Sequence, residues 1–202
     1  MNQLVRQIQR KPVGSVFTPR DFVGLGSRAS IDQTLSRMTK GGAIRRLGRG
    51  IYDKPRLSDR LGPLSPSPDD VAQAIARRDG HTVSISPSRA ANMFGLTTQV
   101  PAKPVYLTSG TTRDVPAGRT TLRMRKASPR NLIGAGSNAG AAIQALRYVG
   151  RDGVNGDVIA RLRAGLGPKD RVSLRKHVPE LPVWMQPVAQ AVAAPFRARS
   201  HG

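Results

Sequence analysis

The sequence predicts an α+β fold in two parts. Three observations predict it: helix-spaced apolar residues leading into two short strands around a glycine turn, a Pro-rich stretch, and mixed strand and helix patterns beyond it. The 202 residues suffice for one medium domain or two small ones. The punctuation places a first domain at residues 1–60, a linker at 61–68 within the Pro-rich stretch 55–68, and a second domain at 69–202.

In the first part, Leu4, Val5 and Ile8 fall at helical spacing, and Pro12 and Gly14 end that helix. Thr18 precedes Pro19 as an N-cap precedes a first helical residue, with Phe22, Val23 and Leu25 as the apolar side of a second helix. Ser27 is placed to cap a third helix running to about Lys40, whose Ile31, Leu35 and Met38 form one stripe toward a core, and Gly41-Gly42 stops it. Residues 43–47 and 51–53 then read as strands joined by Gly48-Arg49-Gly50. Three short helices followed by a two-stranded ribbon is the order of a winged helix-turn-helix.

Beyond the linker, Val71, Ala72, Ile75 and Ala76 predict a helix capped by Ser67 or Asp69. Residues 81–85 and 105–108 suit buried strands, residues 88–94 a short helix, and residues 120–126 an edge strand in which Leu122 and Met124 alternate with Arg123 and Arg125. Past Pro129 the pattern is helical, with candidate helices at 141–149, 158–166 and 185–194, and the tail from Pro195 is expected to fray.

A net charge of +21 far exceeds what solubility needs and predicts a polyanionic partner, nucleic acid before a membrane surface. No apolar run approaches the roughly 20 residues of a spanning helix, and the N-terminus lacks a signal-peptide pattern, so a cytoplasmic, nucleoid-associated location without membrane contact is expected. Residues 1–60 carry 13 Lys and Arg against 4 Asp and Glu, a higher basic excess per residue than the remainder.

The third helix carries the candidate chemistry. Opposite its apolar stripe it presents Ala29, Ser30, Gln33, Ser36 and Arg37; Gln pairs with adenine and Arg with guanine in the major groove, and small residues admit the helix N-terminus to the bases. Thr18, Arg20, Arg28, Lys40, Arg45, Arg46 and Arg49 are the candidate contacts to phosphate, the last three on the wing. The expected partner is double-stranded DNA, an operator with inverted repeats. A solvated polar face on a protein- or RNA-interaction module is the alternative.

Catalytic patterns are weak. Cysteine is absent, which removes thiolate chemistry, and the three histidines are far apart. The turn Gly134-Ala135-Gly136-Ser137 resembles a dinucleotide fingerprint, but Ser128-Pro129-Arg130-Asn131 stands where a buried strand belongs. Ser173 and Lys176 match one short nucleophile motif without its companions. The expectation is a protein that is not an enzyme and holds no cofactor or metal.

The runs Val16-Phe17-Thr18-Pro19-Arg20-Asp21-Phe22, Leu35-Ser36-Arg37-Met38 with Lys40-Gly41-Gly42 and Ile44, and Gly48-Arg49-Gly50-Ile51-Tyr52 resemble the N-terminal winged helix of AbiEi-like antitoxins of type IV toxin–antitoxin systems. The segment 81–97, with its Gly95-Leu96 turn, is similar to that family's region after the linker. The resemblance covers most of residues 1–170. It implies an antitoxin that represses its own operon through the winged helix and counteracts a nucleotidyltransferase-like toxin through the second domain.

Overall fold

The computed structural model describes residues 3–99 and 102–195; the tail past Pro195 lies outside them. In chain order, α1 (Gln3–Arg10) buries Leu4 and Ile8. β1 (Val16–Phe17) follows, then a 3-10 helix at Pro19–Phe22, α2 (Arg28–Lys40), β2 (Arg45–Gly48) and β3 (Ile51–Asp53). β4 (Leu57–Ser58) and β5 (Gly62–Pro63) precede α3 (Pro68–Asp79). β6 (Val83–Ile85), α4 (Pro87–Met93), β7 (Val105–Thr108), β8 (Arg113–Ala117) and β9 (Thr120–Lys126) come next. The chain ends in α5 (Asn138–Val149), α6 (Gly156–Gly165), α7 (Pro168–His177) and α8 (Met185–Ala193). The fold is α+β.

The chain divides into two units: residues 1–81 with 110–124, and residues 82–109 with 125–202. The division differs from the expected 1–60, 61–68 and 69–202. Residues 57–63 pair as an antiparallel ribbon, Leu57 opposite Pro63 and Ser58 opposite Gly62, where a structureless linker was expected. α3 belongs to the first unit because its apolar face, with Val71, Ala72 and Ile75 buried, packs against β1, β3 and the 3-10 helix. Arg77 fixes that docking by donating to Asp21 Oδ1 at 2.9 Å and to the Val16 carbonyl at 3.1 Å.

In the first unit, β1 and β2 both pair antiparallel with β3, giving the order β1-β3-β2. Leu4, Ile8, Phe17, Phe22, Ile31, Leu35, Ile44 and Tyr52 make one buried cluster. The Phe17 ring meets Phe22 edge-on at 5.6 Å and stacks with Tyr52 at 6.4 Å, geometries that suit aromatic quadrupoles. β8 and β9 form a hairpin of the same unit from Arg113 opposite Met124 to Ala117 opposite Thr120.

The second unit pairs β6 with β7 antiparallel and buries an Ala- and Leu-rich cluster from α4 to α8. Gly134 and Gly136 lie in the turn that leads into α5, both at positive φ. Ser137 caps α5 by accepting from Gly140 N–H at 3.1 Å and donating to the Gly134 carbonyl at 2.6 Å. The turn folds onto the helix so closely that a Cβ on Gly140 would collide with the Gly134 carbonyl, so Gly134 and Gly140 serve packing.

Candidate nucleic-acid interface

α2 starts where Ser27, in extended conformation, accepts the Ser30 N–H on its side-chain oxygen at 3.2 Å. It ends in a bond from Ala43 N–H to the Met38 carbonyl at 3.0 Å, the six-to-one closure of a Schellman turn. Between these ends Ile31, Thr34 and Leu35 are buried. Ala29, Ser30, Gln33, Ser36, Arg37 and Lys40 are all exposed, so the face expected to read bases is the face left open. Gln33 and Arg37 stand four residues apart, about one helical turn. Arg28 is exposed too, with Nε 2.8 Å from Asp32 Oδ2 one turn along.

β2 and β3 close over a two-residue turn, Arg49-Gly50, with Gly48 opposite Ile51. Gly50 takes φ +66°, a left-handed conformation that glycine supplies without strain. The ribbon is buttressed within its unit. The Leu47 carbonyl accepts from Gly118 N–H at 2.7 Å, the Arg49 carbonyl accepts from Arg78 Nη1 at 2.7 Å, and a Cβ on Gly48 would lie 2.8 Å from the Pro116 oxygen. Arg46 and Arg49 project exposed from this frame, and neither has a carboxylate partner among the described residues.

Two expected contacts are corrected. Arg45 is not a wing cation: it faces Asp53 across the strands, with Nε at 3.1 Å and Nη2 at 2.6 Å from the carboxylate, and Nη2 also donates to the Leu64 carbonyl at 2.8 Å. Asp53 is fully buried, and its hydrogen bond holds the Arg45 guanidinium pKa above the ordinary value. Thr18 is fully buried as well. Its backbone N–H donates to Asp21 Oδ2 at 2.9 Å, so it starts the 3-10 helix, but its hydroxyl has no partner and reaches no surface.

A groove of about 790 Å³ brings Arg28, Ser36, Arg46 and Arg49 together with Arg78 and Arg113, which sequence reasoning missed. Arg20, exposed nearby in sequence to Thr18, donates to the Arg78 carbonyl at 3.3 Å. Asp79 anchors this wall: Arg78 holds one carboxylate oxygen at 2.8 Å, and Arg113 bonds the other. Burial pushes the Asp79 carboxyl pKa up, but the hydrogen bonds and charges of Arg78 and Arg113 outweigh it and hold the carboxyl below its ordinary value. Nothing local in the sequence points to Arg78 or Arg113, because only the folded unit brings α3 and β8 beside the ribbon. Among the described residues there is no cluster of metal-ligating side chains, and no helix is long and apolar enough to cross a membrane.

The profile of the family of unknown function DUF6088 matches residues 3–174. No curated protein matches the chain. Among solved structures, the crystal structure of the RV2827C protein from Mycobacterium tuberculosis is similar at 13% identity and a TM-score of 0.39, over 95% of this chain and 75% of that one. A likeness so slight carries neither fold nor function across.

Proposed function

The chain belongs to the DUF6088 family, and we propose that it is a sequence-specific duplex-DNA-binding regulator that lays α2 in the major groove with the β2–β3 ribbon against the flanking backbone. The observation that carries this reading is the open face of α2, with Gln33 and Arg37 outward, beside a ribbon whose Arg46 and Arg49 have no carboxylate partner among the described residues. Helix, strand, 3-10 helix, helix and two strands, with the sheet order β1-β3-β2, is the arrangement expected of a winged helix and supports the same docking. The excess of +21 charges supplies the nonspecific attraction, while Gln33 and Arg37 supply the base discrimination.

The test is selection of a preferred site from random duplexes, followed by three variants. Gln33→Ala and Arg37→Ala each cost about 1–3 kcal/mol on the preferred site and little on random DNA, whereas Arg49→Ala weakens both. Equal losses on both DNAs for all three mean that α2 does not read bases.

The resemblance to AbiEi-like antitoxins extends the proposal: the DNA-binding unit represses its own operon, and the second unit counteracts a nucleotidyltransferase-like toxin. Co-expression of the full chain with an adjacent nucleotidyltransferase gene, scored by growth and by a promoter reporter, tests it. Repression without protection leaves a plain DNA-binding regulator.

A further inference from the structure

The second unit holds a cleft of about 580 Å³ that the proposed DNA contacts leave unused, lined by Leu107, Arg125, Lys126, Gln144, Arg147 and Trp184 among others. Its size lies in the range of small-ligand pockets. α5 supplies Gln144 and Arg147 three residues apart, on one face.

The polar groups of this face are incompletely satisfied. Gln144 is fully buried and donates through Nε2 to the Asn131 carbonyl at 2.6 Å, which fixes Oε1 as an acceptor, and Oε1 has no donor. Arg147 is half-buried and donates through Nη2 to the Arg130 carbonyl at 2.6 Å, but its Nε is buried without an acceptor. Burial pushes the guanidinium pKa down, and no carboxylate pairs with it among the described residues. Buried polar side-chain atoms nearly always find partners. Of the three described buried side-chain atoms that do not, two belong to this pair in one cleft wall.

The remaining lining matches one ligand chemistry. Arg125 is exposed at the end of β9 and adds positive charge, as does Lys126. Trp184 is half-buried against the apolar cluster and turns part of its surface to the cleft, a platform for a flat ring. Guanidinium groups hold phosphate through paired hydrogen bonds. An aromatic surface, a buried amide acceptor and a half-buried arginine with no carboxylate partner among the described residues together fit a base carrying a phosphate better than a base or a phosphate alone.

We propose that this cleft binds a nucleoside monophosphate unit, with the phosphate at Arg147 and Arg125 and the base against Trp184. The unit is either a free nucleotide or an unpaired nucleotide of a single strand, and the chemistry recognised is the same in both.

Trp184 is the sole tryptophan of the chain, so the fluorescence of the full-length protein reports on the cleft. The chain is titrated with AMP, adenosine, inorganic phosphate and a short oligodeoxyadenylate. AMP quenches saturably, and adenosine and phosphate bind at least about tenfold more weakly, since each lacks one half of the recognition. An oligomer that binds about tenfold more tightly than AMP assigns the strand as ligand; one that binds no better assigns the free nucleotide. Arg125→Gln weakens AMP binding about tenfold, and Arg147→Lys, which keeps the charge but loses the planar fork, weakens it severalfold while the melting temperature holds. Unchanged fluorescence with every probe, phosphate binding as tight as AMP, or full AMP affinity in both variants overturns the proposal.

Discussion

Replacing Arg45 by Ala removes a structural group and leaves the proposed DNA contacts in place. The guanidinium makes two bonds to Asp53 and one to the Leu64 carbonyl, and the Asp53 side chain is 1% exposed, so the variant strands a carboxylate in the core of the first unit. Breaking a buried pair from one side costs about 3–5 kcal/mol. Arg45 is itself 32% exposed and water partly reaches it, which favours the lower end, about 3 kcal/mol. For a unit of fewer than a hundred residues that is a fall in Tm of roughly 12–24 °C. Circular-dichroism melts and urea titrations of the parent, Arg45→Ala and Arg49→Ala measure it. The double variant Arg45→Leu with Asp53→Leu recovers most of the loss, because paired apolar side chains replace a buried ion pair at little cost. An Arg45→Ala protein within about 0.5 kcal/mol of the parent, the range of an ordinary surface substitution, would mean that Arg45 does not stabilise the buried Asp53.

Three further outcomes are expected. The Asp79 carboxyl has a folded pKa below its unfolded value near 3.9, so its contribution is fully present above that pH and is lost as pH falls through the folded value. Melts of the parent and Asp79→Asn between about pH 6 and pH 2 therefore converge at the acid end. Gly140→Ala drives a Cβ into the Gly134 carbonyl, a backbone atom that cannot swing aside, and destabilises by at least about 1–3 kcal/mol in urea titration. Phe22→Ala empties the site between Phe17 and the buried cluster and costs about 3–5 kcal/mol by the same measurement.

The helix that carries the candidate interface was legible because its signals agree: a Ser27 cap, an apolar stripe of Ile31 and Leu35, and a glycine stop. The ribbon was legible from Gly48-Arg49-Gly50 for the same reason. β1 escaped because two residues cannot display a period, and the helix expected after Thr18 shortened to one 3-10 turn. α7 escaped because only Leu174 is buried along it, and β8 because Pro116 interrupts the strand pattern. The inward placement of Arg45 is itself legible in the sequence: alternation along a strand puts Arg45 on the face of Leu47, which is buried, and Arg46 on the other. Arg78 and Arg113 were beyond local reasoning, since they join the groove through tertiary packing of α3 and β8.

If α2 and the ribbon contact duplex DNA through its phosphates, as proposed, the affinity of the full chain for a duplex depends steeply on salt. With Arg20, Arg28, Lys40, Arg46 and Arg49 as about five phosphate contacts, affinity falls by roughly 500-fold between about 50 and 200 mM salt, and Arg49→Ala shallows the slope by about one contact. An affinity that stays flat across that range contradicts the account.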